Sequence, residues 1–224
     1  MSDQRIATAP GAAPAGQLPV SPNNPCPFLR ALVANGYVGG HVVPLSQLSE
    51  MIGLASGETG SAQKTVRLKA SMIAVIANGL GPLRVFKSAK SGAVLDELRN
   101  GPLDKHGGGS RILDAEANVH EDQIERLASF GKDCKNPAGG IEIGLTAKEI
   151  EAFMADNIKR DGDAARWYFP ILMKGEWPVL LKILGKGEGE ARYLSVAEVR
   201  TLFVERRLPE RITDRLPKPA AAKI

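Results

Sequence analysis

The chain is short of cysteine, of aromatics and of long apolar runs, and each shortage removes a class of protein. Two cysteines among 224 residues cannot build a disulfide scaffold or a cysteine-rich zinc site. Aromatics are 5% of the chain, and its net charge of +4 comes from scattered bases. A nucleic-acid binder carries instead a basic stripe with interleaved aromatics. No apolar run approaches the roughly 18 residues of a membrane span. Met1-Ser2-Asp3-Gln4-Arg5 leads into Ala, Pro and Gly rather than into the apolar core of a signal peptide. These absences predict a cytoplasmic protein that binds neither nucleic acid nor membrane. No signal fixes its oligomeric state.

What is present is helical. Residues 1–23 are rich in Ala, Pro and Gly and read as a disordered arm. Residues 24–212 read as one domain and 213–224 as a flexible tail. Phe28 to Asn35 predicts a short helix stopped by Gly36. Leu45, Leu48, Met51 and Ile52 mark a second helix. Ala62 to Asn78 predicts a third, with Val66, Met72, Ile73, Val75 and Ile76 inward. Val94, Leu95 and Leu98 mark a short one, and His120 to Phe130 is amphipathic. Thr146-Ala147-Lys148-Glu149 opens a helix to Ile158 with a capping box, and Ser195-Val196-Ala197-Glu198 opens another to Phe203. Ala164 to Leu184 is apolar and interrupted by Pro178. No hairpin signal competes, so the expected fold is all-α, with about eight short helices.

Cys26 is the most informative residue. It lies in Asn24-Pro25-Cys26-Pro27-Phe28-Leu29, immediately before the first helix. Pro27 suits the first helical position. The free N–H groups of Phe28, Leu29 and Arg30 are then expected to face the sulfur. The positive helix end would lower the thiol pKa. That makes Cys26 a candidate nucleophile or metal ligand. The same segment also suits a small buried cysteine in a proline-flanked turn. Cys134 lies in a polar stretch, and nothing in the sequence supports its pairing with Cys26. His41, His106 and His120 lack zinc spacing. Gly185-Lys186-Gly187-Glu188-Gly189 reads as a loop, and Trp167 and Trp177 as core.

Three stretches, in order, resemble the heme-thiolate chloroperoxidase and unspecific peroxygenase family. The first is Pro25-Cys26-Pro27 with the helix end Leu32-Val33-Ala34-Asn35-Gly36-Tyr37. The second runs from Leu95-Asp96-Glu97-Leu98 through Leu103-Asp104-Lys105-His106-Gly107-Gly108-Gly109-Ser110-Arg111. It is similar to the family's Glu-His-Asp-x-Ser-x-Ser-Arg. Asp104 stands for the Glu, Lys105 for the His, His106 for the Asp and Gly108 for the first Ser; Ser110 and Arg111 agree. The third joins Met173-Lys174-Gly175-Glu176, Ile183-Leu184-Gly185-Lys186 and the close Phe203-Val204-Glu205-Arg206-Arg207-Leu208-Pro209. Together they span about residues 25 to 212. Gly175-Glu176-Trp177 alone is also similar to caleosins, whose calcium loops are absent here.

The resemblance implies a chloroperoxidase-like fold, thiolate-ligated heme b and hydrogen peroxide as oxidant. The second substrate would be a small apolar or aromatic molecule. Cys26 would be the axial iron ligand, with cofactor contacts from Phe28, Leu29, Asp104 and His106. Glu176 would be the acid–base. Its segment supports that role: Ile171, Leu172, Val179, Leu180 and Ile183 make an apolar face with Glu176 at its edge, Pro178 makes the helix bend or begin beside it, and a carboxyl in such a setting can have a raised pKa. Lys105 would pair with Glu176, hold it ionised, and place a positive charge near a propionate. Gly108 offers no hydroxyl to a divalent ion, so no Mg or Mn is expected there. Two other readings stay open. One is a non-catalytic sensor of heme or another hydrophobic ligand on the same fold; the other is a cofactor-free structural or interaction protein.

Overall fold

The computed structural model describes residues 16–79, 81–100, 109–162 and 169–219. Its first helix, α1, is Pro27–Ala34. Every residue from Phe28 to Ala34 is buried, so α1 is enclosed on all sides rather than amphipathic. Burying Phe28, Leu32 and Val33 contributes about 1.5–3 kcal/mol each. The helix ends as its glycine demands. Gly36 takes φ of 74°, its N–H bonds Val33 O at 3.0 Å, and Tyr37 N–H bonds Leu32 O at 2.9 Å. That pair of bonds is a Schellman close.

Next come α2 (Leu45–Ser56) and α3 (Gly60–Ala77), joined by a tight turn at Gly57 and packed along each other. On α3 the inward residues are Val66, Ala70, Ala74 and Ala77. Met72, expected inward, is 55% exposed, and Leu68 is 64% exposed. The helix turns its small residues to the interior, which leaves room beside it. Helix α4 (Pro82–Ser91) leads to β2 (Ala93–Val94), which pairs antiparallel with β1 (Val42–Val43). Buried Asn78 fastens this ribbon to the end of α3. Its Nδ2 donates to Val94 O at 2.7 Å and its Oδ1 accepts from Val94 N–H at 3.0 Å. A 3₁₀ turn, Leu95–Asn100, follows.

The fold is predominantly helical, but it is not all-α. Strands β3 (Lys132–Lys135), β4 (Ile141–Thr146) and β5 (Tyr193–Ser195) form an antiparallel sheet in that order. Its hairpin register sets Cys134 opposite Glu142 and Lys135 opposite Ile141. Tyr193 lies over Gly144, where an added Cβ would stand 2.2 Å from the tyrosine ring. Around the sheet pack α5 (Glu121–Ser129), α6 (Ala147–Asp161), α7 (Phe169–Leu184) and α8 (Val196–Arg200). Helix α8 continues as a wider turn over Thr201–Glu205, and α9 (Glu210–Thr213) closes the order.

Both expected helix starts are found. At α6, Glu149 reaches back to accept from Thr146 N–H at 3.1 Å and from the Thr146 hydroxyl. At α8, Ser195 Oγ accepts from Glu198 N–H at 3.5 Å. The Glu198 carboxylate turns away to Lys186 and Arg211. The buried residues form one continuous core from Phe28 to Leu216. Residues 16–23, expected within the arm, lie against the domain: Leu18 N–H bonds Ala34 O at 2.9 Å and Arg30 bonds Ser21 O at 3.1 Å. At the other end Arg215 donates to Ala55 O at 3.2 Å, so packed chain runs past residue 213.

Candidate functional site

Cys26 is the N-cap of α1. Its backbone is extended, and its carbonyl accepts the first helical bond from Arg30 N–H at 2.9 Å. That bond takes Arg30 N–H away from the sulfur, contrary to the expectation for this residue. The N–H groups of Leu29 and Phe28 are aimed at Sγ and favour the thiolate, without closing a capping hydrogen bond. Asn24, itself buried, sets the approach: its Oδ1 accepts from Cys26 N–H at 3.2 Å, an Asx turn before proline. Arg30 locks the same loop from beneath. It is 3% exposed, and its Nη1 donates to Ser21 O and Asn24 O, both at 3.1 Å.

The thiol pKa departs from the expectation. Burial pushes it up, more than the Leu29 and Phe28 N–H groups and Arg30 bring it down, and the Glu176 carboxylate adds to the rise. In this fold the helix end is a smaller influence than desolvation. Burial likewise lowers Arg30 to about 10, aided by Arg206 and Arg99.

Cys26 opens onto a cavity of about 280 Å³, near the lower end of the range for small-molecule pockets. Leu48 and Ile52 of α2 and Ala70, Ala74 and Ala77 of α3 wall one side. Glu176, Trp177, Leu180 and Ile183 of α7 line it too, with Phe28 and Leu29 beside the sulfur. Cys26 and Glu176, far apart in sequence, therefore share one cavity. Helix α7 runs through Pro178 rather than starting there; the proline supplies no N–H to the carbonyl of residue 174. Trp177 is core as well as lining. It meets Phe153 edge-on at 5.1 Å, and Phe153 meets Phe130 edge-on at 5.5 Å. Each such pair contributes about 0.5–1.5 kcal/mol beyond burial and fixes the Glu176 turn of α7 against α6.

The polar lining comes from another part of the chain. Arg99, Ser110, Arg111 and Asp114 reach the cavity from the 3₁₀ turn and the segment after it. Buried Asp161 at the end of α6 anchors this segment. It accepts from Gly109 N–H at 2.8 Å and from Arg111 Nη2 at 3.0 Å. Arg160 donates to Gly109 O at 2.8 Å. Arg111 holds a left-handed backbone, φ 56°, unusual for a side-chain-bearing residue.

Asp104, Lys105 and His106 lie outside the described residues. Of the other residues singled out, Cys26, Phe28, Leu29, Glu176, Ser110 and Arg111 come together on the cavity. His41 and His120 do not; they bond Asp96 and Asp114 at exposed positions. Cys134 is a free thiol in the hairpin. Sequence reasoning missed Asn24 as the residue that orients Cys26, although Asn-Pro is a turn signal. It also missed Arg99, Asp114 and the alanine row of α3, whose i, i+4, i+7 spacing was visible. Among the described residues no helix is long and apolar enough to cross a membrane. No group of three or more His, Cys, Asp or Glu among them could hold a metal ion. No family model, curated protein or solved structure matches the chain.

Proposed function

We propose that the chain is a heme-thiolate peroxidase or peroxygenase with a chloroperoxidase-like helical fold. It would act in the cytoplasm, oxidising a small apolar or aromatic molecule with hydrogen peroxide. The observation that carries this reading is the meeting of Cys26 and Glu176 on one cavity. Heme b bound through the Cys26 sulfur would supply peroxide activation, its thiolate donating electrons that favour O–O cleavage. The lining suits such a group in its chemistry, and the cavity, at about 280 Å³ smaller than heme b, would have to widen to take it. The Leu29 and Phe28 N–H groups face the sulfur, the outer support that tunes a metal ligand. The α2, α3 and α7 walls are apolar, as a flat aromatic ring requires. Ligation would release the Cys26 thiol proton that burial retains, because a metal-bound thiol is deprotonated outright.

Glu176 then works on peroxide within the cavity. Its carboxylate takes the proton from one peroxide oxygen and returns it to the other. Trp177, Leu180 and Ile183 beside it exclude water and strengthen its interactions. Lys105 remains the proposed partner that orients this carboxylate. Glu176→Gln is expected to lower peroxide turnover by about 100-fold while leaving the thiolate spectrum intact. Unchanged turnover would falsify the acid–base assignment.

A second reading is favoured by the burial that keeps the Cys26 thiol protonated. On it the protein binds heme or another apolar ligand without catalysis. A wild-type protein that takes up heme and never consumes peroxide decides for this reading.

A further inference from the structure

The positive charge of the chain is concentrated in one stretch. From Thr59 to Leu95 the sequence holds Lys64, Arg67, Lys69, Arg84, Lys87 and Lys90 and no Asp or Glu, so the rest of the chain, taken alone, is slightly acidic. These bases all belong to α3 and α4. Lys64, Arg67, Lys69 and Lys90 are exposed and, among the described residues, enter no ion pair. Elsewhere on the surface, Lys132, Arg200 and Arg207 meet Glu149, Glu121 and Glu205.

Between its bases the outer face of α3 is apolar. At 3.6 residues per turn, Leu68, Met72 and Val75 stack on the side opposite the buried Val66, Ala70 and Ala77. Lys64 stands one turn before Leu68 in the same row, and Arg67 and Lys69 flank that row on either side. Helix α4 adds to this surface. Ser88 Oγ ties it to the end of α3 by donating to Asn78 Oδ1 at 3.4 Å. Phe86, on the other side of α4 from Ser88, is 68% exposed. An apolar row rimmed by unpaired bases suits a helix that lies in a lipid interface. The row enters the acyl boundary, and the lysine and arginine heads reach anionic headgroups. Nucleic acid calls for bases at the centre of the face, and here the centre is Leu68 and Met72.

We propose that the outer face of α3, with α4 at its end, docks the protein on an anionic lipid surface. The expectation of no membrane partner rested on the missing span, and a helix that lies along the interface needs none. On the inner face of the same helix, Ala70, Ala74 and Ala77 line the cavity. Docking therefore sets the cavity one helix away from a phase in which small apolar molecules concentrate. The inference goes beyond the peroxide chemistry proposed above and stands without it.

Flotation of the full chain with vesicles reads this docking without heme or peroxide. The wild type is expected to bind vesicles of equal parts phosphatidylcholine and phosphatidylserine, to ignore phosphatidylcholine alone, and to be released as salt screens the charges. Leu68→Ser/Met72→Ser changes two side chains that the fold leaves exposed, and should weaken binding at least about tenfold. Lys64→Gln/Lys69→Gln should weaken it about thirtyfold, the worth of two bases at an anionic surface. As a control, Lys135→Gln/Lys148→Gln removes the same charge from exposed positions on β3 and α6 and should leave binding nearly unchanged. Binding that survives either α3 variant, or that falls as far with the control, overturns the docking face. Equal binding to both kinds of vesicle overturns it too, as does binding to neither; retention on heparin in that last case would assign the face to an acidic macromolecule instead.

Discussion

The sheet β3-β4-β5 and the cavity beside α1 treat polar groups in opposite ways. At the sheet, the Glu142 carboxylate accepts from Lys186 Nζ, Tyr193 OH and Ser195 Oγ, each at 2.7 Å. Lys186 also pairs with Glu198 at 3.1 Å, and Glu198 with Arg211. Burial opposes the charge on Glu142, yet these donors hold its carboxyl below the ordinary range, and burial, with the same carboxylate beside it, pushes the Tyr193 phenol up. Glu142, Lys186, Glu198 and Arg211 thus find their partners within the protein. At the cavity, Cys26 lines open space, and burial raises its thiol above the ordinary value. A satisfied polar network rigidifies one half of the molecule. The other half keeps small residues, Ala70, Ala74 and Ala77, where larger ones would have packed.

Filling the space should break the contrast most severely. Ala74→Leu projects a larger side chain into the cavity. It is expected to abolish heme uptake in an absorbance titration, at a stability cost of about 1–3 kcal/mol. Uptake equal to wild type would place the ligand elsewhere. The converse change is at the sheet. Gly144→Val drives a side chain into the Tyr193 ring, 2.2 Å from the first added carbon. An expected loss of about 3 kcal/mol would lower the thermal midpoint by roughly 6–12 °C, and calorimetry reads it. Tyr193→Phe removes one donor from Glu142 and should cost about 1 kcal/mol. Ligand uptake is left unchanged, because no residue of the network lines the cavity.

The smallest effect is one of pH. Burial opposes ionisation of Glu149, but the Thr146 hydroxyl, Lys132 at 3.0 Å and the Thr146 N–H outweigh it, lowering the carboxyl to about 2. A depressed folded pKa stabilises the fold above the unfolded value of 4.5, and the contribution is lost as pH falls toward about 2. Glu149→Gln should therefore be less stable than wild type by about 1 kcal/mol near pH 7, and the two denaturation midpoints should converge in acid. A gap that persists at pH 2 would assign the loss to packing instead of charge.

Local chemistry was legible in the sequence and distant pairing was not. The α1 start at Pro27, its Gly36 close and the Thr146 start of α6 rest on residues within one or two turns of each other. The strands were missed for a physical reason. β3 is Lys-Asp-Cys-Lys, polar and without alternation. It is a strand because β4 pairs with it, and β4 is paired in turn by β5, which lies nearly fifty residues further along the chain. On α3 the large apolar residues gave a misleading face, since the interior takes the alanines and leaves Met72 outside. The helix-end argument for a lowered Cys26 pKa weighed a dipole that sequence displays against a burial that it does not. Cys26 and Glu176 were linked only by family resemblance, and their shared cavity is a property of how α1, α2, α3 and α7 are placed around it.

One spectrum decides whether Cys26 ligates heme. Purified protein is reconstituted with heme, reduced, exposed to CO and compared with Cys26→Ala. A strongly red-shifted, thiolate-type Soret band is expected in the wild type and is absent from the variant. A histidine-type band, or a thiolate band that survives loss of Cys26, would contradict it.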